Sequence, residues 1–187
     1  MGKTARVKGF DDTMNANSMN DTMKIRISQL PLGVHEYHFS CSPKKLGLES
    51  NFSELVEADV VLDKTTRQLF LKVNVTTAGI FQCDRCIEEF NQPLRNQCNI
   101  FYAYDVVDSG KDTGDEVRVI TPDTTFIDLT NDVSETAIHS VPFKLLCTEE
   151  CKGLCPRCGT NRNRATCDCK EEWADSRWQG LEGLKTE

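Results

Sequence analysis

The placement of the cysteines narrows what this chain can become more than any other feature. It has 187 residues and ten cysteines, eight of them in four close pairs: Cys83 with Cys86, Cys147 with Cys151, Cys155 with Cys158, and Cys167 with Cys169. Ten in 187 falls below the roughly 8–10% of a disulfide-stapled scaffold. The first thirty residues lack the apolar segment of a secretory signal, so the expected compartment is the reducing cytoplasm, where disulfides do not persist. Close cysteine pairs in that setting are metal ligands or redox couples.

Metal chemistry accounts for all four pairs. Zinc takes four ligands in a tetrahedron, and two cysteine pairs close one structural site. Cys155-Pro156-Arg157-Cys158-Gly159 reads as a zinc knuckle, because Gly159 lets the backbone turn with positive φ after the second thiol. Cys167 and Cys169 lie near enough in sequence to complete that site. Cys83, Cys86, Cys147 and Cys151 form a second set, which staples the tail to the end of a long strand; the spacing leaves open whether Cys151 and Cys155 trade places. Two Zn2+ sites are therefore expected. Cys41 and Cys98 stand apart and read as plain buried thiols.

The remaining pattern is mostly β. Ile25, Ile27 and Val34–Phe39 read as strands about the turn Pro31-Leu32-Gly33, and Pro43–Ser50 as a short helix. Glu57–Leu62 and the strictly alternating Leu69, Leu71, Val73 and Val75 read as a hairpin. A later strand carries Ile100, Tyr102 and Tyr104, residues 105–116 form an acidic loop, and Val117–Ile120 and Phe126-Ile127 are short strands. Asp128 is placed to cap a helix reaching about His139, with Val133, Ala137 and Val141 on its buried stripe and Pro142 as its stop. A second short helix, capped by Asp175, aligns Trp178, Leu181 and Leu184. The predicted fold class is α+β: a β-rich, mostly antiparallel sheet domain with one packed helix and a C-terminal cysteine-rich zinc module. The predicted division is a disordered leader over 1–22 (Met23 being a possible true start), a core domain over 23–146, and a zinc-binding tail with a short helix over 147–187.

Charge and missing motifs exclude several function classes. The chain holds 22 basic and 29 acidic residues, net −7, which argues against a protein that coats DNA. No apolar run approaches the ~20 residues of a membrane span. Residues 24–146 carry 12 basic against 18 acidic side chains, net −6. Residues 151–170 set Lys152, Arg157, Arg162, Arg164 and Lys170 against Asp168, net +4. Lys152, Arg157, Arg162 and Arg164 are thus the candidate RNA-phosphate contacts, unless they serve only to neutralise a tetrathiolate site. No His-Glu-x-x-His, P-loop or Gly-x-Ser-x-Gly motif occurs, and all-cysteine sites leave no open coordination position, so no enzyme is expected.

The cysteine blocks carry a resemblance. Cys83-Asp84-Arg85-Cys86, Cys151-Lys152-Gly153-Leu154-Cys155-Pro156-Arg157-Cys158-Gly159, Cys167-Asp168-Cys169 and Asp175-x-Arg177-Trp178-x-x-Leu181-x-x-Leu184 together resemble the YceD family, from about Met23 to Lys185. The departures are Arg162 where the family suggests Leu and Ser176 where it suggests Pro. The resemblance implies a non-enzymatic bacterial or plastid factor for accumulation of 23S rRNA and biogenesis of the large ribosomal subunit. The implied partners are the pre-ribosomal large subunit or its rRNA, and a ribosomal or assembly protein. The plain, acidic leader favours a bacterial cytoplasmic member. Two other classes compete: a generic zinc-dependent protein-interaction module, and a thiol redox protein using Cys83 and Cys86.

Overall fold

The computed structural model describes residues 23–104 and 117–169. The expected leader, the acidic loop at 105–116 and the helix after Asp175 lie outside the described residues. The chain divides into two compact units. One takes the chain up to Ile80 together with Gln92–Pro142; the other takes Phe81–Asn91 and the chain from Phe143 onward. The tip of a hairpin therefore groups with the tail.

The first unit is built on a five-stranded sheet and a two-stranded one. The strands are β1 (Lys24–Arg26), β2 (Gly33–Cys41), β3 (Val56–Lys64), β4 (Gln68–Gln82), β5 (Glu89–Ala103), β6 (Val117–Val119) and β7 (Phe126–Asp128). The larger sheet has the order β2-β3-β4-β5-β6, and β1 pairs antiparallel with β7. The β3–β4 hairpin forms as the alternation predicts, with Val60 opposite Val73 and Leu62 opposite Leu71. Leu62, Leu69, Leu71 and Val73 are wholly buried. Each such side chain contributes roughly 1.5–3 kcal/mol through its removal from water.

β5 is far longer than the strand expected around Ile100. Pro93 and a run of amides disguise it, since proline in a strand argues against a ladder position. Its inward positions are nevertheless every second residue, including the buried Leu94, Ile100 and Tyr102, and Asn96 turns its amide onto the Thr136 carbonyl. β6 joins β5 in parallel, Tyr102 opposite Arg118, so the sheet is mixed rather than wholly antiparallel. Such a pairing needs a crossover of a dozen or more residues, which the stretch between the two strands supplies in length.

The short helix expected over Pro43–Ser50 is a single 3-10 turn, Pro43–Leu46. The helix α1 spans Thr130–Ile138, within a residue of the expected bounds at each end. Asp128 does serve its start: its Oδ1 accepts the Thr130 N–H at 3.0 Å and the Thr130 hydroxyl at 2.6 Å. The buried stripe is Leu129, Val133 and Ala137, not one that reaches Val141. Pro142 disfavours the helical conformation at the residue before it. Arg118 of β6 forks onto the buried Asp132 carboxylate, at 2.8 Å and 2.5 Å, and ties the sheet edge to this helix.

Candidate metal centres

All eight paired cysteines come together in the second unit. Cys83, Cys86, Cys147 and Cys151 form one quartet; Cys155, Cys158, Cys167 and Cys169 form the other. Within each quartet all four sulfurs lie within 4.8 Å of one another. The exchange of Cys151 and Cys155 left open by the spacing is thereby decided: Cys151 faces the first quartet and Cys155 the second.

The first quartet sits at the tip of the β4–β5 hairpin. Cys83 Sγ lies 3.8 Å from Cys151 Sγ, and Cys86 Sγ 3.6 Å from Cys147 Sγ. A tetrahedron with ~2.3 Å metal–sulfur bonds has sulfur–sulfur edges of ~3.8 Å, so these separations suit one tetrahedral ion. They are far too long for disulfides, and all ten cysteines are free thiols. Phe90, Leu146 and Leu154 pack against the buried Cys83, Cys86 and Cys151. Cys41 is a buried thiol of β2, as expected, and Cys98 a half-buried one of β5.

The two quartets are built on the same local design, which the sequence only half reveals. Cys83 N–H donates to the Glu88 carbonyl, and Ile87 N–H returns to the Cys83 carbonyl. Cys155 N–H donates to the Thr160 carbonyl, and Gly159 N–H returns to the Cys155 carbonyl. In both knuckles the residue after the second cysteine is left-handed: Gly159 at φ 72°, as expected, and Ile87 at φ 62°. Glycine makes the second knuckle legible; a β-branched residue in that conformation is rare and hides the first.

Thiol protonation shows what each quartet demands. Burial raises the Cys83 thiol, but N–H groups of Cys147, Cys86 and Arg85 outweigh it and bring the pKa down to about 6. The Glu88 N–H favours a Cys86 thiolate, yet burial and the neighbouring sulfurs push Cys86 up to about 12. In the second quartet the Thr160 hydroxyl and N–H lower Cys158 to about 6, while contact with Cys158 and then burial raise Cys169 to about 12. Sulfurs packed this closely cannot all ionise unless a cation offsets their charge. Four thiolates around a dication are a closed structural site with no position for substrate.

The polar surroundings include residues, Arg85 and Asn163, that the sequence did not tie to the cysteine quartets. Arg85 Nη1 donates to the Cys151 carbonyl at 2.8 Å, and the Arg85 carbonyl accepts Leu154 N–H at 3.0 Å. Asn163 Nδ2 donates to Cys151 Sγ at 3.2 Å, and its Oδ1 accepts Lys152 N–H at 2.8 Å. Of the four candidate RNA contacts, Lys152, Arg157 and Arg164 are exposed and Arg162 is half-buried. Lys152 and Arg162 line a cavity of about 420 Å3 with Ala165, Thr166 and Cys167. Arg164 Nε instead pairs with Glu88 Oε1 at 2.8 Å.

Residues 71–185 match the family model of the large ribosomal RNA subunit accumulation protein YceD. The chain belongs to the YceD family. A curated but uncharacterised protein of Mycobacterium tuberculosis (strain H37Rv) is 26% identical over 163 residues, covering 83% of this chain and 76% of that protein. The Arabidopsis thaliana large ribosomal RNA subunit accumulation protein YCED homolog 1, chloroplastic, is 24% identical over 155 residues, or 70% of this chain and 48% of that one. No solved structure gives a significant match. The YceD match runs through both quartets, most of β4 and all of β5. No helix among the described residues is long and apolar enough to cross a membrane.

Proposed function

We propose that this chain is a cytoplasmic, non-enzymatic factor that supports 23S rRNA accumulation by docking onto the assembling large ribosomal subunit. Its eight paired cysteines hold two Zn2+ ions whose task is architectural. The ions fold the second unit, and that unit meets the precursor through Lys152, Arg157, Arg162 and Arg164. The observation that carries the reading is the placement around one cleft of Lys152, between Cys151 and Cys155, and Arg162, on the loop between Cys158 and Cys167. A cation pair beside a rigid knuckle suits phosphate contact without chemistry, and the family's name describes accumulation, not catalysis.

The redox alternative fares worse on geometry. Cys83 and Cys86 lie at a hairpin tip among two further thiols, and their close neighbours are Cys151 and Cys147 respectively. A redox couple of the thioredoxin kind belongs at a helix start in a βαβ setting.

The test is genetic and biochemical together. Lys152→Glu with Arg162→Glu is expected to weaken binding to precursor rRNA and to reduce large subunits in ribosome profiles, while metal content is unchanged. Four phosphate contacts at ~0.7 each give a log–log salt slope no steeper than about −3 on single-stranded RNA. Parent-like binding and profiles from the double variant would overturn the proposed face.

A further inference from the structure

The segment from Cys151 to Cys155 belongs to both quartets, since Cys151 faces one and Cys155 the other. Its underside is fixed by the first knuckle. Arg85 bonds the Cys151 carbonyl and receives Leu154 N–H, and Gly153, at φ 70°, lies so close that a Cβ there would sit 2.9 Å from the Arg85 carbonyl oxygen. Its other side is held by the loop that the second quartet encloses. Asn163 reaches Cys151 Sγ and receives Lys152 N–H, and Arg162 N–H donates to the Gly153 carbonyl. Arg164 of the same loop pairs with Glu88 of the first knuckle. Asn163 is itself braced by Asn161, whose Oδ1 accepts its N–H at 2.9 Å.

From this juxtaposition we propose that the two metal centres are energetically coupled, with Asn163 as the positioning residue. An ion in the Cys155/Cys158/Cys167/Cys169 site fixes the ends of the 159–166 loop. The fixed loop presents the Asn163 amide to Cys151, orients that sulfur and stabilises it as a thiolate ligand of the first ion. Such hydrogen bonds from outside the ligand set typically change metal affinity by 10–100-fold. Coupling between binding equilibria is reciprocal, so the first ion tightens the second by the same factor. The inference rests on the metal-binding reading above.

The test uses the full chain loaded with Co2+, whose thiolate charge-transfer absorption reports occupancy, challenged with increasing chelator. Two changes are made separately. Cys158→Ser with Cys169→Ser disables the second site. Asn163→Asp keeps all eight cysteines and the acceptor for Lys152 N–H, but removes the donor to sulfur. Each is expected to release the first-site ion at roughly tenfold lower chelator than the parent. For Asn163→Asp, reciprocity requires that the second-site ion also be released at lower chelator than in the parent. A parent that holds two ions, with both variants releasing theirs at the parent's chelator concentration, overturns the coupling alone. A parent that takes up no Co2+ overturns the metal reading and the coupling with it.

Discussion

Two glycines and one isoleucine share nearly the same left-handed backbone, and they separate conformational from steric cost. Gly159 has φ 72° with open space where a Cβ would sit, whereas Gly153, at φ 70°, lies against Arg85. Gly159→Ala is expected to cost about 1–2 kcal/mol, the usual penalty of a left-handed non-glycine residue. Gly153→Ala should cost more, because the segment from Cys151 to Cys155 must also lift off the Arg85 carbonyl. Urea midpoints of the two variants check the order, and equal losses would contradict the close approach. Ile87 already carries this strain while 56% of its surface is exposed. Ile87→Asn should therefore raise stability by about 1 kcal/mol, since asparagine tolerates this conformation and little burial is lost. A lowered midpoint would mean that the side chain packs more than its exposure indicates. These residues also mark the limit of sequence reading. Gly159 announces its knuckle because glycine adopts the left-handed conformation without cost, whereas Ile87 performs the same turn with nothing in its identity to signal it. Asn163, one polar residue in a basic loop, gains meaning only when the fold carries Cys151 to it.

At the scale of elements, the alternation of β4 was legible because its buried positions from Leu69 to Val75 are all aliphatic. β5 was not, because Asn96 satisfies its inward position with a hydrogen bond instead of apolar area. Leu94, almost fully buried between such residues, is the anchor of that strand, and Leu94→Ala should cost 2–5 kcal/mol by calorimetry or denaturant titration. The start of α1 offers a pH signature. Burial alone would raise the Asp128 carboxyl, but the Thr130 hydroxyl and N–H and Lys24 draw it below its ordinary value. A carboxylate lowered in the folded state adds stability above its unfolded pKa of ~3.9 and loses it as pH falls through the lower folded value. The difference in stability between parent and Asp128→Asn should accordingly be constant near neutrality and shrink below about pH 4. A gap that persists to acid pH would assign the effect to geometry instead of charge.

For the whole molecule, metal content is the first measurable consequence. Protein purified without chelator is expected to hold two zinc ions per chain, and analysis near zero with free thiols intact would refute the reading of both quartets. Apparent binding energies for structural zinc are on the order of 10–16 kcal/mol, comparable to or larger than the ~5–15 kcal/mol stability of a typical domain. Chelation should thus abolish amide protection at residues 81–91 and 143–169, while the aliphatic core around β3 and β4 keeps its protection. The grouping of the β4–β5 tip with the tail also has a consequence in time. Cys86 precedes its neighbour Cys147 by 61 positions. At ~5–20 residues per second, a growing chain waits roughly 3–12 s between making the first half of this site and the second. Throughout that interval two thiols stand on a nascent hairpin with no partners. Ribosome-bound chains arrested at Pro142 should accordingly have Cys83 and Cys86 open to alkylation, and chains arrested after the tail has cleared the exit tunnel should have them protected. The long wait makes emergence of the tail the step that first brings the four sulfurs of this quartet together.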